Sequence, residues 1–154
     1  MTTEAAQIDD ELHRAYDGAA WHGPSFREVL AGVTAEVAAR RHPVLAHSIG
    51  TLVRHVAAWV EVARRRIVEW QPIDVPPADD FPAADAGPAA WEATLAGLDR
   101  RVRALRELVA GLDPARLDAT VPGKDYPVAV MLHGTAQHLA YHAGQIALLR
   151  KLLG

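Results

Sequence analysis

Two histidines near the carboxyl end of the chain, His138 and His142, have a spacing suited to metal binding. In a helix, side chains four residues apart lie on one face about 6 Å apart, so both imidazoles can bind one ion. The same face continues, at intervals of three or four residues, through Met131, Thr135, Gln145 and Leu149. Such intervals are typical of a helix that faces a bundle core, so we expect the pair to point inward.

A third ligand is needed, because two histidines bind a metal weakly. In an up-and-down bundle the second and fourth helices would run parallel, and depth can be counted from their starts at about 1.5 Å per residue. His138 and His142 then lie about 17 and 22 Å in, and His55 lies about 15 Å in. His55 is therefore the predicted third ligand. His22, at a break in the first helix, is a candidate pocket residue.

A polar core without metal is the alternative interpretation of these histidines. The four-residue spacing alone is weak evidence in a chain with eight histidines. Three buried rings at one level are harder to explain this way, because each needs a hydrogen-bond partner. Two other histidines, His42 and His47, are expected to lie too far away, at the start of the second helix.

The apolar periodicity predicts an all-α fold, an up-and-down four-helix bundle formed by residues 1–154 as a single domain. The predicted helices cover about 5–17 with a resumption to about 32, then 45–70, 88–112 and 127–152. Residues 71–90, rich in proline and aspartate, are predicted to form a long loop between the second and third helices. Loops of this length are often functional.

Composition excludes several classes of protein. The chain has 154 residues, half of them hydrophobic, and a net charge of -3, which argues against a nucleic-acid binder with a basic surface. The absence of cysteine excludes thiolate nucleophiles and iron–sulfur sites. No apolar run reaches the roughly 20 residues of a membrane span and no signal peptide is evident, so we expect no membrane association and a cytoplasmic location. Motifs of the HExxH, GxSxG and P-loop types are absent.

Three segments resemble the DinB/YfiT-like family of bacterial four-helix metalloenzymes. Residues His138 to Ile146 are similar to its C-terminal metal motif, Ser48 to His55 to its helix-two motif, and Trp21 to Ser25 to the N-terminal segment of one branch. The resemblance implies a divalent metal, zinc or nickel, on His55, His138 and His142. Members of known activity imply a transferase or isomerase that uses a low-molecular-weight thiol, such as bacillithiol or mycothiol.

The function expected from these observations is a metal-dependent thiol transferase, since three imidazoles leave a coordination position open and the chain has no thiol of its own. Candidate catalytic residues are His22 and Tyr141, together with the aspartates of the loop. Gln145 is a candidate for orienting a ligand, and Arg64–Arg66 for holding an acidic substrate. Each has a structural alternative as a packing or solvated residue.

Two other functions stay open at this point. One is a metal-binding stress-response module without catalysis, and the other is a metal-dependent hydrolase, which would lack a fixed general base. A homodimer is also expected, because exposed apolar helix faces often pair.

Overall fold

The computed structural model describes residues 1–84 and 86–154. Within them the chain forms seven helices, α1 Glu4–Tyr16, α2 Phe26–Leu30, α3 Ala35–Ala39, α4 Ile49–Val68, α5 Pro88–Ala110, α6 Pro114–Asp118 and α7 Val128–Leu153. Apolar side chains from all seven form one buried cluster. The predicted all-α helical bundle is therefore confirmed, with α1, α4, α5 and α7 as its long helices.

The second long helix, α4, begins at Ile49 rather than near residue 45. Ser48 has an extended backbone, and its Oγ accepts a hydrogen bond from the Thr51 N–H at 3.2 Å. This bond satisfies a backbone donor that has no partner inside the helix, so Ser48 caps the helix. Residues 41–48 are consequently non-helical, although their apolar side chains continue the helical pattern.

Replacing Ser48 with alanine is expected to lower the free energy of unfolding by about 1 kcal/mol, because the buried hydroxyl that caps α4 is lost. For a chain of this size the melting temperature should fall by about 2–4 °C, measured by circular dichroism on metal-free protein. Ser48→Gly is the control, since glycine at a cap costs only a few tenths of a kcal/mol. Equal losses for the two variants would show that capping is not the cause.

Helices α4 and α7 are antiparallel. His55 of α4 contacts His138 of α7. Further along α4, Arg66 contacts Met131, which comes earlier in α7. The expectation that these two helices run parallel is therefore wrong.

Helices α4 and α5 run in the same direction, whereas consecutive helices of the predicted up-and-down bundle would be antiparallel, so that part of the prediction is wrong. Near their starts, Arg54 of α4 and Ala90 of α5 line a common cavity, and a Cβ added to Gly50 would be 2.6 Å from the methyl group of Ala84, which lies just before α5. At their far ends, Arg116 donates a hydrogen bond to the Ile67 carbonyl at 2.7 Å. The linker of residues 69–87 must therefore return along the full length of α4, which explains the long loop predicted there.

Helix α5 was predicted over 88–112 from its apolar periodicity. Its buried side chains, which recur at intervals of three, four or seven residues, are Trp91, Leu98, Val102, Leu105 and Val109. It runs antiparallel to α1, because Asp9 pairs with Arg106 while Tyr16 bonds to Asp99. In the described part of the chain, no helix is both long enough and apolar enough to cross a membrane.

Candidate metal centre

Three of the predicted ligands, His55 of α4 and His138 and His142 of α7, converge on one point inside the bundle. The Nε2 atom of His138 lies 3.0 Å from Nε2 of His55 and 2.9 Å from Nε2 of His142. Nitrogens bound at about 2.1 Å to a shared ion lie roughly 3 Å or slightly more apart. The group is therefore the right size for one ion, and we call it the candidate metal centre.

The three histidines meet because they lie near the middle of the interface between α4 and α7. On one side of the histidines, Leu52 of α4 and Leu149 of α7 line a common cavity. On the other side, Arg66 contacts Met131. The three rings lie between these contacts, where the two helices pass each other.

The outer nitrogens of two of the rings have fixed partners. Nδ1 of His55 lies 2.7 Å from the backbone oxygen of Asp80 and 3.0 Å from its Oδ1, which also accepts from Trp59 Nε1 at 2.7 Å. Nδ1 of His142 lies 2.6 Å from Gln145 Oε1. Since these partners are acceptors, each Nδ1 carries the proton, and each Nε2 lone pair points to the centre.

His138 cannot satisfy both neighbouring rings by hydrogen bonding. Burial, reinforced by His142 and His55, lowers the pKa of His138 to about 4, so the ring is neutral at pH 7. Its Nε2 carries at most one proton, whereas the Nε2 atoms of the other two rings are both acceptors. At least one of the short contacts therefore lacks a proton between the nitrogens. A cation among the three lone pairs would satisfy all of them, and imidazole is a ligand suited to zinc, copper, iron and nickel.

The linker covers one side of the candidate metal centre. The Phe81 ring stacks on His55 with centroids 4.1 Å apart and on His47 with centroids 4.0 Å apart. Among the described residues, the group of possible ligands does not include His47, but this ring lies closer to the site than expected, with only Phe81 between it and His55. Because α4 begins only at Ile49, the chain just before it is free to fold back over the linker.

The two predicted catalytic residues lie at different distances from the centre. The Tyr141 side chain is largely exposed, its ring packs edge-on against His142, and its hydroxyl accepts from Gln145 Nε2 at 3.2 Å. His22 is exposed in the turn between α1 and α2, and among the described residues no contact joins it to the three histidines. Both roles stay predictions. Of the loop aspartates, Asp85 lies outside the described residues.

A cleft of about 500 Å³ opens beside His55 and His138. Its walls are largely apolar, with Trp59, Ala63, Val130 and Met131 among them. Besides the histidines, its polar lining side chains are Arg66, Asp80, Tyr126 and Thr135. A small molecule in this cleft would lie against the candidate metal centre.

Two side chains at the site were not predicted to support it. Trp59 follows His55 by one helical turn, so its spacing was an available signal. Phe81 carried no such signal, because it lies in a linker without periodicity.

The fold and the site together define a class of protein, a helical bundle with a candidate three-histidine metal centre beside a cleft. Residues 9–146 match the family model of the DinB superfamily, and the chain belongs to that superfamily. The resemblance found in the sequence motifs is thereby confirmed. No curated protein and no solved structure matches the chain significantly.

Proposed function

We propose that this protein is a transferase that depends on a divalent metal, zinc or nickel, and acts with a low-molecular-weight thiol. The observation that carries the proposal is the convergence of three imidazoles beside an open cleft. When bound, a divalent cation supplies a Lewis acid that favours the thiolate form of an incoming thiol near pH 7. The thiol must come from outside, since the chain has no cysteine.

The residues around the cleft have distinct tasks in this proposal. Asp80 and Gln145 hold the Nδ1 protons of their histidines and so keep both lone pairs aimed at the ion. Trp59 and Met131 exclude water from the cleft, which strengthens the electrostatic interactions within it. Tyr141 contacts Gln145 and is a candidate positioning residue.

The transfer forms one bond and breaks one bond. The thiolate sulfur bonds to an electrophilic carbon of the second substrate. The leaving group departs with the electron pair of its bond to that carbon, and the thiol proton passes to solvent. No oxidant or reductant is required.

Zinc loading followed by thiol titration tests this function. Calorimetry with mycothiol or bacillithiol should detect binding to zinc-loaded protein and none to metal-free protein. Conjugation of the bound thiol to a fluorogenic chlorobimane should be at least roughly tenfold faster with the zinc-loaded form. Zinc binding that raises the melting temperature without any thiol binding would contradict the transferase and favour a non-catalytic metal-binding module.

A homodimer is also proposed, through the outer face of α7. Tyr141, Leu148 and Leu152 are exposed and share one face of this helix. Sedimentation velocity on the metal-loaded and metal-free protein measures the oligomeric state directly.

A further inference from the structure

The cleft beside the candidate metal centre contains a buried cation. The Arg66 side chain is only 4% exposed. Its Nε donates to the Ile73 carbonyl at 2.7 Å and one Nη to Asp74 Oδ1 at 2.5 Å, which hold the guanidinium in place. Its other Nη donates to the Tyr126 hydroxyl at 3.2 Å. The guanidinium is therefore preorganised on the cleft wall.

Asp80 also lines the cleft, but its carboxylate contacts His55 and Trp59, so the charges next to Arg66 leave an excess of positive charge. Asp74 is shared between Arg66 and Lys124, whose Nζ lies 2.8 Å from the same carboxylate oxygen. The Asp74 side chain is 56% exposed, so water screens its charge, whereas Arg66 is shielded. A buried cation without full compensation is costly. This part of the cleft therefore favours an anionic ligand.

Tyr126 can donate a hydrogen bond to that ligand. Its hydroxyl oxygen accepts from Arg66, so its own proton points elsewhere, and both residues line the cleft. A hydroxyl that accepts from a guanidinium is polarised and becomes a stronger donor to a carboxylate.

The Trp59 indole lies between two polar regions of the cleft, the candidate metal centre at His55 and the guanidinium of Arg66. The Trp59 ring centroid lies 6.4 Å from that of His55 and 5.8 Å from Cζ of Arg66. A ligand that reaches both regions must lie along this ring and against Met131. Its body must therefore be apolar and small.

We propose that the cleft binds a small organic carboxylate with an apolar body. Its carboxylate accepts hydrogen bonds from Tyr126 and Arg66, and its opposite end faces the candidate metal centre. This assignment rests on the metal site of the proposed function but is independent of the transfer chemistry.

The test uses the zinc-loaded full chain and two matched series of probes, ω-mercaptocarboxylates and ω-mercaptoalcohols of increasing chain length. The thiol end binds zinc in both series. The difference in affinity between a carboxylate and the alcohol of the same chain length therefore depends only on the group at the far end. At one chain length the carboxylate should bind about tenfold more tightly by calorimetry. Tyr126→Phe should lose part of this preference, because one of the two donors is removed while Arg66 remains, and its zinc affinity should stay unchanged.

Two further variants separate a binding role from a structural one. Arg66→Met should also lose the preference, but this arginine additionally anchors the linker, so Tyr126→Phe is the deciding variant. Arg65→Met is the control, because Arg65 is more exposed and pairs with Glu69 instead.

The carboxylate assignment would be overturned if carboxylates bind no more tightly than alcohols at any chain length, or if the preference for carboxylates is undiminished in Tyr126→Phe. Neither result would argue against the candidate metal centre. A zinc titration precedes each measurement, so a failure to bind zinc is recorded separately and would overturn both proposals.

Discussion

The His138→Ala variant is expected to lose zinc binding, with an affinity at least about a hundredfold lower than that of the natural chain. The reason is geometric, because His138 Nε2 lies about midway in the chain of short contacts that joins His55 to His142. Without it, the ion keeps two ligands from two different helices. Competition with a chromophoric chelator measures the affinity, and elemental analysis of protein purified without a histidine tag measures the metal content.

The natural chain should also gain thermal stability when zinc is added, since the ion binds only the folded state. His138→Ala should not show this gain. His133→Ala is the matched control, because His133 is on the same helix but pairs with Glu11 at 2.7 Å, away from the centre. Full zinc occupancy in His138→Ala would refute the three-histidine site.

The Asp80→Ala variant should bind zinc about 10 to 100 times more weakly, the range found when a group that orients a metal ligand is removed. Its carboxylate accepts from both His55 and Trp59, so the substitution frees two side chains of the site. The backbone oxygen of residue 80 still lies 2.7 Å from His55 Nδ1. We therefore expect a loss near the lower end of the range, measured with the same chelator competition.

The neighbouring carboxylate provides the control for this prediction. Asp79 is exposed and belongs to the same linker, and Asp79→Ala removes the same charge. It should leave the zinc affinity within about twofold of the natural value, because exposed charges are screened by salt. Equal losses in the two variants would mean that the charge of the linker, rather than the contact with His55, affects the ion.

The convergence of the three histidines was predictable, but partly through an incorrect premise. The spacing of His138 and His142 is local geometry, which any helix enforces. His55 was chosen by counting depth along parallel helices, whereas α4 and α7 are antiparallel. The choice survived because His55 lies near the middle of the predicted helix 45–70. Counted from its other end, the depth is about 22 Å, again close to that of the pair.

The start of α4 was predicted from apolar periodicity, and the capping signal of Ser48 was given too little weight. Apolar periodicity from Leu45 onward favoured an earlier start. The helix begins at Ile49 instead, because the Ser48 side chain accepts a hydrogen bond from a backbone N–H of the first turn and so caps the helix. This small difference places His47 outside the helix, where it stacks on Phe81. Capping chemistry was readable from the sequence, but the position of His47 was not.

By itself the sequence determined the four long helices, the inward face of α7 and the residue types able to hold an ion, because periodicity and side-chain chemistry are local properties. Only the tertiary structure decided that Asp80 supports His55 and that Arg66 faces the cleft. Both depend on the path of residues 69–87, which must return along α4 because α4 and α5 run in the same direction. A linker has no periodicity, so long-range contacts alone decide which of its side chains reach the site.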